Sequence, residues 1–241
     1  MWTISEIKER GKAAFKGNYW YCVLVSVILG VCAGGAGGSA GNSARSASGE
    51  NGDVQSALSN IDPTIIAVVF GAIAVALIIG VAVNIFLFNP LKVGCQAFFS
   101  RNVRETPASL NELKEGFTNY GRKVGTMFLK DLFIFLWTLL FVIPGIIKSY
   151  SYRMVPYILA DNPELSSMEA ITKSKEMMNG NKWSAFVLDL SFIGWVVLAI
   201  LTCGILAIFY VNPYIYSTQA ALYEELKAQQ GKTGYYGTVE Q

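Results

Sequence analysis

The run Ile65–Phe88 constrains this chain more than anything else in it. It is apolar from end to end except for Asn84, and about 20 consecutive apolar residues are what a helix needs to cross a bilayer. The rest of the composition points the same way. Of 241 residues, 53% are apolar and 15% are charged, whereas soluble domains carry about 25% charged residues. Too few charges remain to wet a complete surface, which predicts lipid as part of the solvent. A net charge of +2 leaves no electrostatic footprint for nucleic acid. The sequence contains no histidine. That removes Ser-His and Cys-His nucleophile pairs, imidazole acid–base chemistry and histidine metal sites.

Five further runs are candidate helices: Tyr19–Ala33, Met127–Val142, Ile146–Ala160, Trp183–Leu201 and Ile205–Leu222. With Ile65–Phe88 they make six, read as three hairpins in an all-α, polytopic membrane bundle. The expected organisation is one integral membrane domain over residues 1–230, with hairpin units at about 1–100, 101–163 and 164–230. Residues 34–62 form a Gly/Ser-rich insert in the first hairpin, and residues 231–241 an unstructured tail. Tight turns are expected at Pro144-Gly145 and Cys203-Gly204. The arms across 127–160 are short, so that hairpin is either two spans or a re-entrant loop. The basic start, with Lys8, Arg10, Lys12 and Lys16, reads as a structured amphipathic helix rather than a cleaved leader. Lys and Arg concentrate there, in the 91–125 connection and in the 161–183 connection, while the insert holds Arg45 alone. Positive residues favour the cytoplasmic side. Both termini are therefore expected inside and the insert outside.

An internal repeat is expected. Thr3…Glu6, Ser109…Glu112 and Ser166…Glu169 each have the form of a capping box. Gly17-Asn18 with Trp20 reappears as Gly180-Asn181 with Trp183. Asp131-Leu132 and Trp137 reappear as Asp189-Leu190 and Trp195. The helices after the three boxes are amphipathic, with Ile4, Ile7, Ala14 and Phe15, or Met168, Ile171 and Met178, on one face. They suit a cytoplasmic lipid surface. Trp20 and Trp183 are expected as interfacial anchors. Met177 and Met178 read as a membrane-facing stripe. Pro90, Pro156 and Pro213 each lack an N–H and should kink the returning helices. The carbonyls they leave free must find other donors.

Charges inside apolar runs are the best pointers to a site, since each is costly unless paired. They are Asp131, Lys148, Arg153 and Asp189, with Lys130 at the margin. One reading is a polar cavity for an anionic headgroup or a coupled ion. The other is a structural pair of Arg153 with Asp131 or Asp189. Gly30, Gly34 and Gly38 have helix-packing spacing but read better as loop. Cys22, Cys32, Cys95 and Cys203 are widely spaced and read as buried small apolar residues. No motif calls for a metal or a cofactor, and none pairs a nucleophile with a base. An enzyme is not expected.

Three stretches carry a family resemblance. They are Glu6…Lys16-Gly17-Asn18-Tyr19-Trp20, Ile143-Pro144-Gly145-Ile146-Ile147-Lys148-Ser149-Tyr150 and Ile158-Leu159-Ala160-Asp161-Asn162-Pro163. With Asp189-Leu190-Ser191-Phe192-Ile193-Gly194-Trp195 and Asn212-Pro213-Tyr214-Ile215, they resemble the bacterial integral membrane family "domain of unknown function 975". The resemblance implies a bacterial plasma-membrane protein. It implies no activity and brings no catalytic residues. Two function classes are expected: a non-enzymatic scaffold or accessory, and a transporter or permease for a lipid or small amphiphile. The expected partners are membrane lipids, with a membrane-protein partner or a second copy of the chain.

Overall fold

A computed structural model describes residues 2–32 and 63–237. The expected Gly/Ser-rich insert and its glycines Gly34 and Gly38 lie outside the described residues. Every regular element among those described is helical. In order they are α1 (Ile4–Gly17), α2 (Tyr19–Gly30), α3 (Pro63–Val83), α4 (Asn89–Arg104), a 3-10 helix (Leu110–Phe117), α5 (Tyr120–Leu140), α6 (Val142–Ser151), α7 (Val155–Asp161), α8 (Ser167–Met177), α9 (Lys182–Leu190), α10 (Ile193–Leu201) and α11 (Asn212–Gly237). α11 continues past Gly231, where an unstructured tail was expected to begin; residues 238–241 lie outside the described residues.

α4 is the packing centre. It touches α1, α2, the 3-10 helix, α5, α7 and α11. Val93, Gly94, Cys95, Phe98, Phe99, Ser100 and Asn102 along it are all buried. A Cβ on Gly94 would overlap the Leu113 carbonyl oxygen, and one on Gly116 would overlap the Pro90 carbonyl. The 3-10 helix therefore lies against α4 backbone to backbone. Asn102 knits this region together. Its Oδ1 accepts from Asn18 Nδ2 at 2.9 Å and from the Ala108 N–H at 3.1 Å, and its Nδ2 donates to the Ala14 carbonyl at 2.9 Å. One buried carboxamide thus joins the end of α1, the start of α2 and the loop after α4.

The three capping boxes differ. Ser166 and Glu169 form the complete reciprocal pair at the start of α8. Thr3 accepts from the Glu6 N–H at 3.3 Å. Ser109 makes no side-chain cap, and the segment after it is 3-10 rather than α. The amphipathic faces are covered by protein, not left for lipid. Ile7, Gly11, Ala14 and Phe15 are buried, and α1 packs on α11. A Cβ on Gly11 would come within 2.6 Å of Thr218 Cα. Ile171, Met177 and Met178 are likewise buried, with Met168 alone of that face exposed. Met177 and Met178 are thus core, not a membrane-facing stripe. An amphipathic pattern specifies an apolar neighbour, and protein and lipid satisfy it equally.

The hairpin turns also resolve differently. Cys203 and Gly204 turn the chain at φ 51° and 84°, left-handed values that suit glycine. Cys203 is exposed there, while Cys22, Cys32 and Cys95 are buried. Pro144-Gly145 makes no turn. The break falls three residues before Pro144, at the extended Phe141, and both residues lie inside α6. Proline is tolerated in a first turn because its missing N–H has no helical partner there anyway. Gly145 lets α6 close on α5, where an added Cβ would sit 2.8 Å from Thr138 Cα. The run Trp183–Leu201 divides at Ser191-Phe192. Lys8 donates to the Ser191 carbonyl at 3.3 Å and lies 4.4 Å from the centre of the Phe192 ring.

The prolines act as expected on their carbonyls, by a local change of helix type. Residues Asn84–Phe88 and Ala207–Val211 are π-helical, and each leads directly into an Asn-Pro pair. The Asn89 N–H reaches back five residues to Asn84, and the Asn212 N–H to Ala207. The carbonyl four residues before each proline takes a tyrosine hydroxyl instead. Tyr120 donates to Phe86 at 2.5 Å and Tyr19 to Phe209 at 3.0 Å. At Pro156 the helix breaks outright over Tyr152–Met154, and the proline opens α7.

One region has no cover from the other described residues. From Val68 to Val83, α3 is exposed on every side, with Phe70 69% and Ile78 68% exposed. The α5–α6 tip and α10 are similarly bare, through Leu139, Phe141, Ile143, Ile200 and Leu201. Two helical stretches among the described residues are long and apolar enough to cross a membrane, Val68–Arg104 and Lys182–Leu201; the sequence reading expected six spans.

Candidate functional site

The four charges singled out in the sequence fall into separate places. Arg153, in the break between α6 and α7, meets Asp189 near the end of α9. Its Nη1 donates to Oδ2 at 2.7 Å and its Nη2 to Oδ1 at 2.8 Å. This is the two-pronged geometry that guanidinium and carboxylate favour. The Tyr150 hydroxyl adds a donor to Asp189 Oδ2 at 2.9 Å, and the Arg153 guanidinium lies 5.5 Å from the Tyr150 ring centre. Both oxygens of Asp189 are therefore engaged. Tyr150 also packs edge-on against Phe186. Ser149, Tyr150, Arg153 and Asp189 line a shallow cavity of about 250 Å³.

Asp131 takes no part in this pair. It pairs with its neighbour Lys130 at 3.1 Å and lines a different cavity, with Asn84 and Asn89. Lys148 lies over the Trp137 ring at 4.7 Å, a cation–π contact across the α5–α6 hairpin. Trp20 and Trp183 are each 73% exposed, at the starts of α2 and α9. The described residues contain no group of three or more metal-ligating His, Cys, Asp or Glu side chains.

A second polar cluster was not singled out from sequence. Asp161, the last residue of α7, accepts from Arg104 at 3.0 Å, Tyr223 at 2.9 Å and Lys227 at 2.5 Å. Glu224 accepts from Arg104 Nε at 3.3 Å and from the Ser100 hydroxyl at 2.5 Å. The cluster joins the ends of α4 and α7 to the middle of α11. Burial alone would raise the Asp161 pKa, but the Lys227 hydrogen bond, the Arg104 and Lys227 charges and the Tyr223 hydroxyl outweigh it. The net position is below the usual carboxylate range. The Tyr223 phenol is pushed up, by burial and by the adjoining Asp161 carboxylate. The only sequence signal was an Asp closing a helix before Asn162-Pro163.

The segment that holds Arg153, Asp161 and Asp189 matches a known family model, described as "Protein of unknown function (DUF975)", over residues 138–230. It is the family that the sequence resembles. The DUF975 match runs from the end of α5 through α11, and Asp131, α1 and the Asn102 hub lie outside it. No curated protein and no solved structure matches the chain.

Proposed function

We propose that this chain is an integral plasma-membrane protein working as a non-enzymatic scaffold or accessory, through contacts with lipid or with a partner chain. The observation that carries the reading is the bare apolar surface of α3. A helix apolar all round belongs in a core or in lipid, and Val68–Gly80 is exposed at every position.

The hairpins refine the topology. α6 has 10 residues, so it is about 15 Å long at a helical rise of 1.5 Å. The hydrocarbon layer is about 30 Å thick. We read α3 as a full crossing, with the run that begins in α2 as the outward one, and the α5–α6 hairpin as entering from the cytoplasmic face and returning to it; Lys182–Leu201 also enters from that face, and the chain returns after the Cys203-Gly204 turn. Trp20 and Trp183 would then lie at that face, with the Asp161 cluster and the Asn102 hub in the cytoplasm. The closed geometry of Arg153 with Asp189 and Tyr150 favours the scaffold over a transporter, because a transport site must leave a charge for its cargo.

The test is topological. With Cys22, Cys32, Cys95 and Cys203 replaced, a cysteine at Arg45 should react with an impermeant thiol reagent on intact cells. One at Lys173 should react only after lysis. Labelling of both from outside, or recovery of the protein in the soluble fraction, would overturn the reading.

A further inference from the structure

The cavity beside the π-helical turn has a chemistry of its own. It measures about 280 Å³ and lies between α3, that turn and α5. Ile85, Phe128 and Phe135 make apolar walls, and Asn84, Asn89 and Asp131 supply the polar groups. Asn89 is 1% exposed, and its Oδ1 has no hydrogen-bond partner among the described residues. A buried acceptor left unpaired is destabilising. Lys130 pairs with the Asp131 carboxylate at 3.1 Å, and that carboxylate is half exposed and faces the cavity. The site thus offers two acceptors, one of them unpaired and the other carrying negative charge. Cations stand beside it: Lys130 itself, and Lys92 on α4, within electrostatic range of both Asp131 and Lys130.

We propose that this cavity holds the headgroup of an aminophospholipid, phosphatidylethanolamine in composition. The primary ammonium would donate to Asp131 and Asn89, and the phosphate would face Lys130 and Lys92. The acyl chains would lie along Val81 and Phe135, which are 58% and 63% exposed. A primary ammonium supplies three N–H donors with positive charge, matching the Asn89 oxygen and the Asp131 carboxylate. A choline headgroup has the same charge and no donor. An anionic headgroup would meet the Asp131 carboxylate. The location fits, since Pro90 and Lys92 are where the bare apolar stretch gives way to the packed polar end. This inference rests on the membrane reading above.

The experiment is native mass spectrometry of the full-length protein, released from micelles holding equal amounts of phosphatidylethanolamine, phosphatidylcholine and phosphatidylglycerol. Wild type should retain the ethanolamine lipid about tenfold over the choline lipid, the effect of a charge-assisted hydrogen bond. Asp131→Asn should remove most of that preference, and Asn89→Leu should weaken it. Asp131 is half exposed, so its variant remains decisive if Asn89→Leu does not fold. Equal retention of ethanolamine and choline lipids, preference for phosphatidylglycerol, or an unchanged preference in Asp131→Asn would overturn the proposal. Wild-type protein that enters vesicles of no composition would sink the membrane reading and this inference with it. Entry without ethanolamine preference would sink this inference alone.

Discussion

The Tyr19 hydroxyl donates to the carbonyl of Phe209 at 3.0 Å, four residues before Pro213. Tyr120 does the same for Phe86, four residues before Pro90. In each case a proline removes a helical donor, and a tyrosine just inside the start of another helix replaces it. The two sites are parallel in detail: each tyrosine follows an asparagine, Asn18 or Asn119, and each proline follows a π-helical turn. The tyrosines therefore bind separate segments of the chain together, α2 to the approach to α11 and α5 to the approach to α4. Tyr19→Phe and Tyr120→Phe should each lower stability by about 1–2 kcal/mol, the cost of stranding an acceptor. Equilibrium unfolding in mixed micelles measures it. Equal stability of both variants and wild type would show that the carbonyls find other donors.

Gly94 has no room for a side chain because backbone, not side chain, fills the space beside it. Gly94→Ala should destabilise by about 1–3 kcal/mol, as overpacking does. Gly125, in the exposed face of α5, has nothing within 4 Å of its would-be Cβ. Gly125→Ala should be neutral or stabilising by up to about 1 kcal/mol, since alanine favours helix. Thermal midpoints of the two variants should move in opposite directions or differ clearly. Matching shifts would mean that α4 and the 3-10 helix are not packed as described.

Arg153 and Asp189 are partly exposed, with 17% and 33% of their side chains accessible. Arg153→Leu should destabilise, because Asp189 keeps its charge and loses its counter-ion. Adding Asp189→Leu should restore part of the loss. A double-mutant cycle is expected to give a coupling of about 1–3 kcal/mol. A coupling near zero would remove the pair from the account of how α9 is held against the start of α7.

Asp161 sets an acid limit on stability. Its folded pKa lies below the ordinary carboxylate value, so the folded state binds fewer protons than the unfolded state in that range. The contribution is complete above the unfolded value of about 3.9 and is lost as pH falls through the depressed folded value. Thermal midpoints followed from about pH 6 to about pH 2.5 should drop in wild type, and less in Asp161→Asn, which starts lower. Parallel curves for the two proteins would assign the acid limit to other groups.

The sequence made the helical content, the Cys203-Gly204 turn and the Ser166 capping box legible, because local pattern decides each of them. It also marked Arg153 and Asp189, since charges in apolar runs are conspicuous. Less was legible where two partners satisfy one pattern. Ile7, Phe15 and Met178 had to be covered by something apolar, and periodicity could not distinguish α11 or the core from lipid. Pro144-Gly145 has turn composition, yet proline fits equally well in the first turn of α6. Asn102, Asp161 and the two tyrosines acquire their roles from partners far along the chain. The Asn-Tyr pair before two entering helices was the one local signal for the tyrosines.

The central claim of the proposal is that α3 lies in lipid, with none of the described elements wrapped around it. Spin labels placed singly from Val68 to Val83, in protein reconstituted into vesicles, would report this residue by residue. The expected result is high collision with oxygen and low collision with a water-soluble nickel complex at every position, without a helical period. A period near 3.6 residues would show that one face is covered by protein, and free access of the nickel complex along the stretch would place it in water. Either pattern would contradict a lipid-embedded α3.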